Sequence, residues 1–334
     1  MKKVECQETP MRVNRRRLLI AAAGASACAY AQPALASYPS RPIKLVVPYP
    51  AGGPNDITAR LIAEGLRRML GQPGIVINQP GGAATIGTRT VATADPDGYT
   101  LLLGSNQTHG ANPLLMKNPG YDAFRDFVPI IGIARLQHML VVRKGHAARD
   151  LRELIALGRQ GRLTYGSSGN GSGSHLAAEL FKKTTGIVNA VHVPYRGSAQ
   201  VLPDMLGGRL DFWFATLPGV LSHIRDGSLE AYAVASHARS PGLPHIPTLA
   251  EQGVTDCEAD AWSGLFAPAK VAPKIVQQLV ETTTATFKDP AGKARMIESG
   301  FLPELMPPDA FARFMHDEMA RWAEVIRTAN ITVE

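Results

Sequence analysis

The sequence predicts an α/β protein of two successive units, each a mostly parallel sheet flanked by helices, with a helical tail. Three observations carry this. Short β-branched runs such as Ile43, Val46 and Val47 are followed by Gly-rich loops and then by helical stretches. The order strand, loop, helix, strand restarts near residue 130. A chain of 334 residues is long for one domain and sufficient for two.

In the first unit, residues 43–47 form a short apolar run ended by Pro48, the pattern of a buried parallel strand. Residues 49–56 are a loop by composition, with Asn55 or Asp56 placed to cap the next helix. In that helix Ile57, Leu61, Ile62, Leu66, Met69 and Leu70 recur at helical spacing until Gly71-Gln72-Pro73-Gly74 stops it. A strand at 75–77 and a Pro80-Gly81-Gly82 turn into another helix follow. A strand at 100–103 closes on Gly104-Ser105-Asn106.

The second unit begins with strands near 130–134 and 139–142. Asp150 with Glu153 makes a capping box for a helix to about Gln160. A strand at 163–165, a loop of Gly, Ser and Asn at 166–173 and a helix at 175–185 come next. A strand at 191–193 leads through Pro194-Tyr195-Arg196-Gly197-Ser198 to a helix ending near Leu206. Strands at 210–214 and 229–235 complete the unit. In the tail one helix starts at Pro273 and runs to about 287. The last starts at Pro307-Pro308-Asp309 and carries a core-packing stripe of Phe311, Phe314, Met315, Met319, Trp322, Val325 and Ile326. The tail is expected to return over the first unit.

Residues 1–36 read as a cleaved export signal of twin-arginine type. Arg15-Arg16-Arg17-Leu18-Leu19 precedes an Ala-rich apolar run over 18–31, and Ala34-Leu35-Ala36 is a small-x-small cleavage site. The run is shorter than the ~20 residues a membrane span needs. Cys28 is preceded by Ala25-Ser26-Ala27, a poor lipobox. Cys6 and Cys28 leave with the signal, so Cys257 stands alone and is expected to be an inert thiol. The leader carries six bases and two acids, which leaves +3 of the formal +7 for the rest. No basic stripe interleaved with aromatics is present, so no nucleic-acid partner is expected. A mild positive balance suits a small anion.

Several chemistries lack their motif. Gly166-Ser167-Ser168-Gly169-Asn170 fails as a nucleophile elbow at its last position. There is no phosphate-binding GxxxxGK loop, no His-Glu-x-x-His and no Cys-x-x-Cys, and the nine histidines are scattered, so neither catalysis, cofactor nor metal is expected. The run from Gly169 to Ser174 lacks the third Gly of a dinucleotide fingerprint, and no acid between Glu179 and Asp204 could take a ribose hydroxyl.

What remains is a set of polar, Gly-rich loops at the C-terminal ends of expected strands, the edge where open α/β sheets bind ligands. Ala51, Gly52, Gly53, Asn55 and Asp56 lie on the first loop. Ser105, Thr108 and His109 follow the third strand. Ser168, Gly169, Asn170, Gly171, Ser172 and His175 precede a helix in the second unit. Glycine allows close backbone approach, and helix N-termini offer free N–H groups with partial positive charge. Such loops can hold a carboxylate without an arginine. Arg196 is the nearest candidate for a direct charge partner.

Several stretches together resemble one family. They are Arg41-Pro42-Ile43, Val46-Val47-Pro48-Tyr49-Pro50-Ala51-Gly52-Gly53 with Asp56, Pro96-Asp97-Gly98-Tyr99-Thr100, and Thr108-His109 with Asn112-Pro113. Further on come Gly169-Asn170-Gly171, Ser174-His175-Leu176-Ala177, His192-Val193-Pro194-Tyr195 with Gly197-Ser198, and Arg239-Ser240-Pro241 with Pro247-Thr248. From residue 38 onward the chain resembles the periplasmic receptors of tripartite tricarboxylate transporters, also called the Bug family. The resemblance implies a two-lobed periplasmic-binding-protein fold of the Venus-flytrap kind. Lobe one would comprise residues 38–137 and 263–334, and lobe two 138–262. It implies binding of a small carboxylate, without cofactor, through the loops at 50–56 and 168–175, with Tyr195 and Thr216 beside them; a monomer is expected because one-to-one docking on a membrane partner needs no more. The implied partner is a membrane permease with a large and a small subunit. A sensory receptor for a membrane kinase, or an exported hydrolase, are the competing readings.

Three departures bear on the ligand. The chain has Gln79-Pro80-Gly81-Gly82-Ala83-Ala84 after Asn78 where the family commonly reads Arg-Pro-Gly-Ala-Gly-Gly. It has Asn55 where the family has Thr or Ser before the loop aspartate, and Phe214-Ala215-Thr216 where Phe-Asp-Asn is frequent. Loss of an acid at Ala215 removes a partner for a ligand amino group.

Overall fold

In a computed structural model the described residues are 38–328 and Ile331. The export signal expected at 1–36 lies outside them. Arg41–Glu334 forms one compact unit built on two sheets.

The first sheet contains β1 (Ile43–Val47), β2 (Gly74–Asn78), β3 (Thr100–Ser105), β4 (Phe127–Leu136), β10 (Ala261–Pro268) and β11 (Leu302–Met306). Its order is β11-β4-β10-β3-β1-β2. The second sheet contains β5 (His138–Arg143), β6 (Thr164–Ser167), β7 (Val191–Pro194), β8 (Phe212–Thr216) and β9 (Leu229–Val234), in the order β7-β6-β8-β5-β9.

Both sheets are mixed rather than mostly parallel. β1 pairs in parallel with β2 and β3, and β6 with β7 and β8, as the βαβ rhythm requires. The other pairings are antiparallel, and their cause is the path of the chain. It leaves the first sheet along β4, passes through Gln137 alone into β5, and returns along β10. A strand leading out of a sheet and one leading back run in opposite directions. The return strand starts at Ala261, two residues before the point implied by the resemblance.

Ten helices flank the sheets among the described residues: α1 (Pro54–Leu70), α2 (Thr85–Ala92), α3 (Asn112–Leu115), α4 (Leu151–Gln160), α5 (Gly173–Thr185), α6 (Ser198–Leu206), α7 (Leu217–Arg225), α8 (Pro273–Lys288), α9 (Pro290–Glu298) and α10 (Pro308–Thr328). α1 begins on Pro54, whose fixed φ suits a first turn, and buries Ala59, Leu61, Ile62 and Leu66. Each fully buried Leu or Ile contributes about 1.5–3 kcal/mol. α4 is capped as its sequence suggests. Asp150 Oδ1 accepts from Glu153 N at 2.7 Å, while Glu153 Oε2 reaches back to Arg149 N, one residue earlier than a standard capping box. Residues 107–111 form a single π-helical turn between β3 and α3.

Two of the apolar clusters bear on how the tail packs. One joins Val46, Leu102, Phe127, Trp262 and Phe266. The other joins Leu140, Tyr165, Phe181, Phe212 and Phe214. α10 belongs to both: Phe311 and Met315 pack in the first, while Trp322 packs in the second. The helical tail therefore reaches both units instead of covering the first alone. Cys257 is buried and free, and burial pushes its thiol up to about 12, so it stays protonated. No helix among the described residues is long and apolar enough to cross a membrane.

Candidate ligand-binding site

Between the two sheets lies a cavity of about 70 Å³. Tyr49 and Pro50 line it from the end of β1, Gly53 to Asn55 from the start of α1, and Ser105, Asn106 and Gln107 from the end of β3. Ser168 comes from the end of β6, Ser172 to Ser174 from the start of α5, Gly197 to Ala199 from the start of α6, and Thr216 from the end of β8. Leu136 and His138 flank the outward crossing, and Ala261 and Trp262 begin the return strand. These residues meet because strand C-termini share an edge. β10 joins them because it runs against β3, with Ser263 opposite Ser105, so its first residues lie beside the last of β3.

No Asp, Glu, Lys or Arg lines this cavity. Its field comes from the backbone. α1, α5 and α6 each present their first turn to it, and α7 presents its N-cap, Thr216. Each helix end carries roughly half a positive charge and N–H groups with no intrahelical partner. Side chains add to them. Asn106 Nδ2, Thr216 Oγ1 and Trp262 Nε1 are buried and have no hydrogen-bond partner among the described residues. Two of these atoms can only donate and the third can donate. Four dipole ends and three unspent donors around a cavity without formal charge suit an anion.

Two glycines allow the walls to meet. A methyl group at Gly173 would lie 2.7 Å from Asn106 Nδ2 and 2.9 Å from His138 Cε1. A methyl group at Gly197 would lie 2.8 Å from Pro50 Cδ across the cleft, and Gly197 also has φ +159°. The halves are further joined by Gln107 Nε2, which donates to Asn170 O at 2.9 Å. Gln107 Oε1 accepts from Tyr49 OH at 3.1 Å, and Tyr49 also hydrogen-bonds Ser105 Oγ at 2.7 Å. Burial pushes the Tyr49 phenol up, so it remains neutral.

Of the residues expected at the site, Gly53, Asn55, Ser105, Ser168, Ser172 and Thr216 line the cavity. The others do not. Ala51 and Gly52 are exposed, and Gly52 N donates to Asp56 Oδ2 at 3.0 Å. Asp56 is buried behind the loop and also accepts from Arg60 and Asn78. Burial works to raise its pKa, but these hydrogen bonds, led by that of Arg60, outweigh it and leave it lowered. Thr108 and His109 are fully buried. Thr108 Oγ1 bonds the Ser105 backbone and His109 Nδ1. His109 stacks on Phe266 at 3.9 Å, and burial lowers it to about 3, so it is a neutral core side chain. Gly171 N donates to His175 Nδ1 at 3.2 Å, and His175 stacks on His192 at 4.0 Å, so His175 braces the loop from behind. Gly169, Asn170 and Tyr195 line a neighbouring outer groove, together with Arg89, Lys117 and the expected charge partner Arg196.

The residues that sequence reading missed are chiefly Asn106, Leu136, His138, Ala261 and Trp262. Most sit at the two crossings between sheets. A two-lobed reading places the crossings at the cleft floor, and that is the signal that points to them.

This combination defines a two-lobed solute-binding receptor. Residues 58–331 match the model of the "Tripartite tricarboxylate transporter family receptor". The chain belongs to that family. It is 36% identical to Protein BugT of Bordetella pertussis, over 93% of this chain and 94% of that one. Among solved structures, "R. palustris Rpa4515 with adipate" superposes with a TM-score of 0.86 at 37% identity, covering 88% of this chain and 99% of that one. MatC (Rpa3494) from Rhodopseudomonas palustris with bound malate gives 0.81 at 30% identity, covering 86% and 100%. The fold is that of the two-lobed periplasmic binding proteins, and the receptor is periplasmic. The family is one of solute receptors, not of enzymes.

Proposed function

We propose that this receptor binds a small carboxylate without an ammonium group in the cavity between its sheets, and delivers it as a monomer to a permease with a large and a small subunit. The observation that carries the ligand class is the convergence of four helix N-termini and three unpartnered donors on a cavity with no formal charge. Donors suit a carboxylate, whose oxygens only accept. The absence of any lining acid leaves an ammonium group without a counter-charge. Relatives solved with adipate and malate support the same class. The lobes would follow the sheets: residues 38–137 with the return segment from about 261 form one, and the segment between them the other. Gly53, Asn55, Ser105, Ser168, Ser172 and Thr216 would contact the ligand, joined by Asn106 and Trp262.

The test is a thermal-shift screen on the exported protein, unfolded and refolded to strip carried-over ligand. The panel holds mono-, di- and tricarboxylates, acidic amino acids and neutral controls. A ligand at 100 times its dissociation constant stabilises by about 2.7 kcal/mol, a shift of several degrees or less for a protein of this size. A shift confined to carboxylates is expected. A folded protein that responds to none of them, or that responds best to amino acids, would sink the assignment.

A further inference from the structure

His138 is 1% exposed and stands at the cavity floor, one residue past the outward crossing. Its Nδ1 lies 2.5 Å from Ala259 O. A carbonyl oxygen has only lone pairs to offer, so Nδ1 carries the hydrogen and donates. Burial holds the ring's pKa down to about 4, so at neutral pH there is no second ring proton. Nε2 is therefore a bare acceptor, and none of the described residues donates to it. It faces the N-terminus of α5: a methyl group at Gly173 would lie 3.4 Å from Nε2 and 2.7 Å from Asn106 Nδ2. Thr216, its partner in the β5–β8 register, supplies another donor beside it.

A cavity otherwise dominated by donors thus has one locked acceptor at its floor. A carboxylate oxygen set against Nε2 would oppose one lone pair with another. A hydroxyl resolves this, because it donates to Nε2 while its oxygen can accept from a neighbouring donor. We infer that His138 is a specificity-determining residue that accepts a hydrogen bond from a hydroxyl group of the ligand, which makes the preferred substrate a hydroxycarboxylate. The inference rests on the carboxylate reading and narrows it. Leaving a buried acceptor unmatched is the means by which a site rejects an analogue that lacks the hydroxyl.

The experiment is isothermal titration calorimetry at pH 7.5 with both enantiomers of malate and with succinate, which has the same four-carbon skeleton without the hydroxyl. At least one malate enantiomer is expected to bind about tenfold or more tightly than succinate. In His138→Phe that ratio is expected to fall towards one, whatever happens to the absolute affinities. Equal affinities for malate and succinate in the unsubstituted protein would overturn the inference and leave the carboxylate reading standing. Failure of every carboxylate in the screen would remove both. Repeating the titration in buffers of different ionisation enthalpy adds a readout that does not depend on the variant's folding. Net proton uptake on succinate binding would mean that Nε2 becomes a donor to a carboxylate, and that also overturns the inference.

Discussion

Asp260 stands one residue before β10, with Oδ2 accepting from Ser236 Oγ at 2.8 Å and Oδ1 without a partner among the described residues. Burial, offset in part by the Ser236 hydrogen bond and by Arg135, raises its pKa to about 6. The folded state therefore holds this proton more tightly than the unfolded chain does. The stability it contributes is fully present below the ordinary value of 3.8 and is lost as pH rises through about 6. Asp260→Asn removes the buried charge. Urea unfolding is expected to show the variant more stable than the parent at pH 7.5, by on the order of 1–3 kcal/mol, with the difference shrinking towards pH 4.5. An advantage that does not vary with pH would show that the carboxylate is not strained by burial. The histidines make the same point about environment. His109 and His175 are attractive ligand residues by composition, yet both are neutral braces, because an imidazole against Phe266 or His192 loses its hydration before it meets any ligand.

At the scale of elements, the loop between β1 and α1 shows how a residue serves the site without touching it. Asp56, in the first turn of α1, accepts from Gly52 N at 3.0 Å, from Arg60 Nε at 2.9 Å and from Asn78 Nδ2 at 3.2 Å. It thereby ties together the loop, the helix and the end of β2. Asp56→Ala leaves those donors unmatched and frees the loop that carries Pro50 and Gly53. It is expected to lower stability by about 1–3 kcal/mol and to weaken ligand binding in calorimetry. Unchanged affinity with lowered stability would confine the aspartate to folding. The β-branched run of β1, the capping signals of α4 and the apolar stripes of α1 and α10 were all readable along the chain, because each is a local pattern of period two or 3.6. β10 was not. Its Ala-Trp-Ser-Gly-Leu-Phe-Ala-Pro composition has no β-branched residue, although the strand is buried throughout. Its pairing with β3 and β4 across long stretches of chain makes it a strand. β11, Leu-Pro-Glu-Leu-Met, was missed for the same reason.

At the scale of the whole molecule, the two halves meet through bare backbone at the cleft. Gly197 passes against Pro50, and Gln107 bonds Asn170 from the opposite half. Gly197→Val places branched carbon where the Pro50 ring lies. Small-angle scattering is expected to show this variant failing to compact when saturating carboxylate is added, while the parent contracts. Equal contraction would mean that the Pro50 contact is not what limits closure. The sequence by itself determined the α/β class, the two units, the family and the loops that face a common edge. These follow from local periodicity, from glycine and capping chemistry, and from the order of motifs. It singled out six cavity residues, all on those loops or on the strand end at Thr216. Only the tertiary structure decided that the crossing strands supply the cavity floor, that Trp262, Asn106 and His138 face it, and that four helix ends converge there. Those relations join residues as far apart as Asn106 and Trp262. No pattern along the chain encodes which buried donors are left unpaired when two sheets come together.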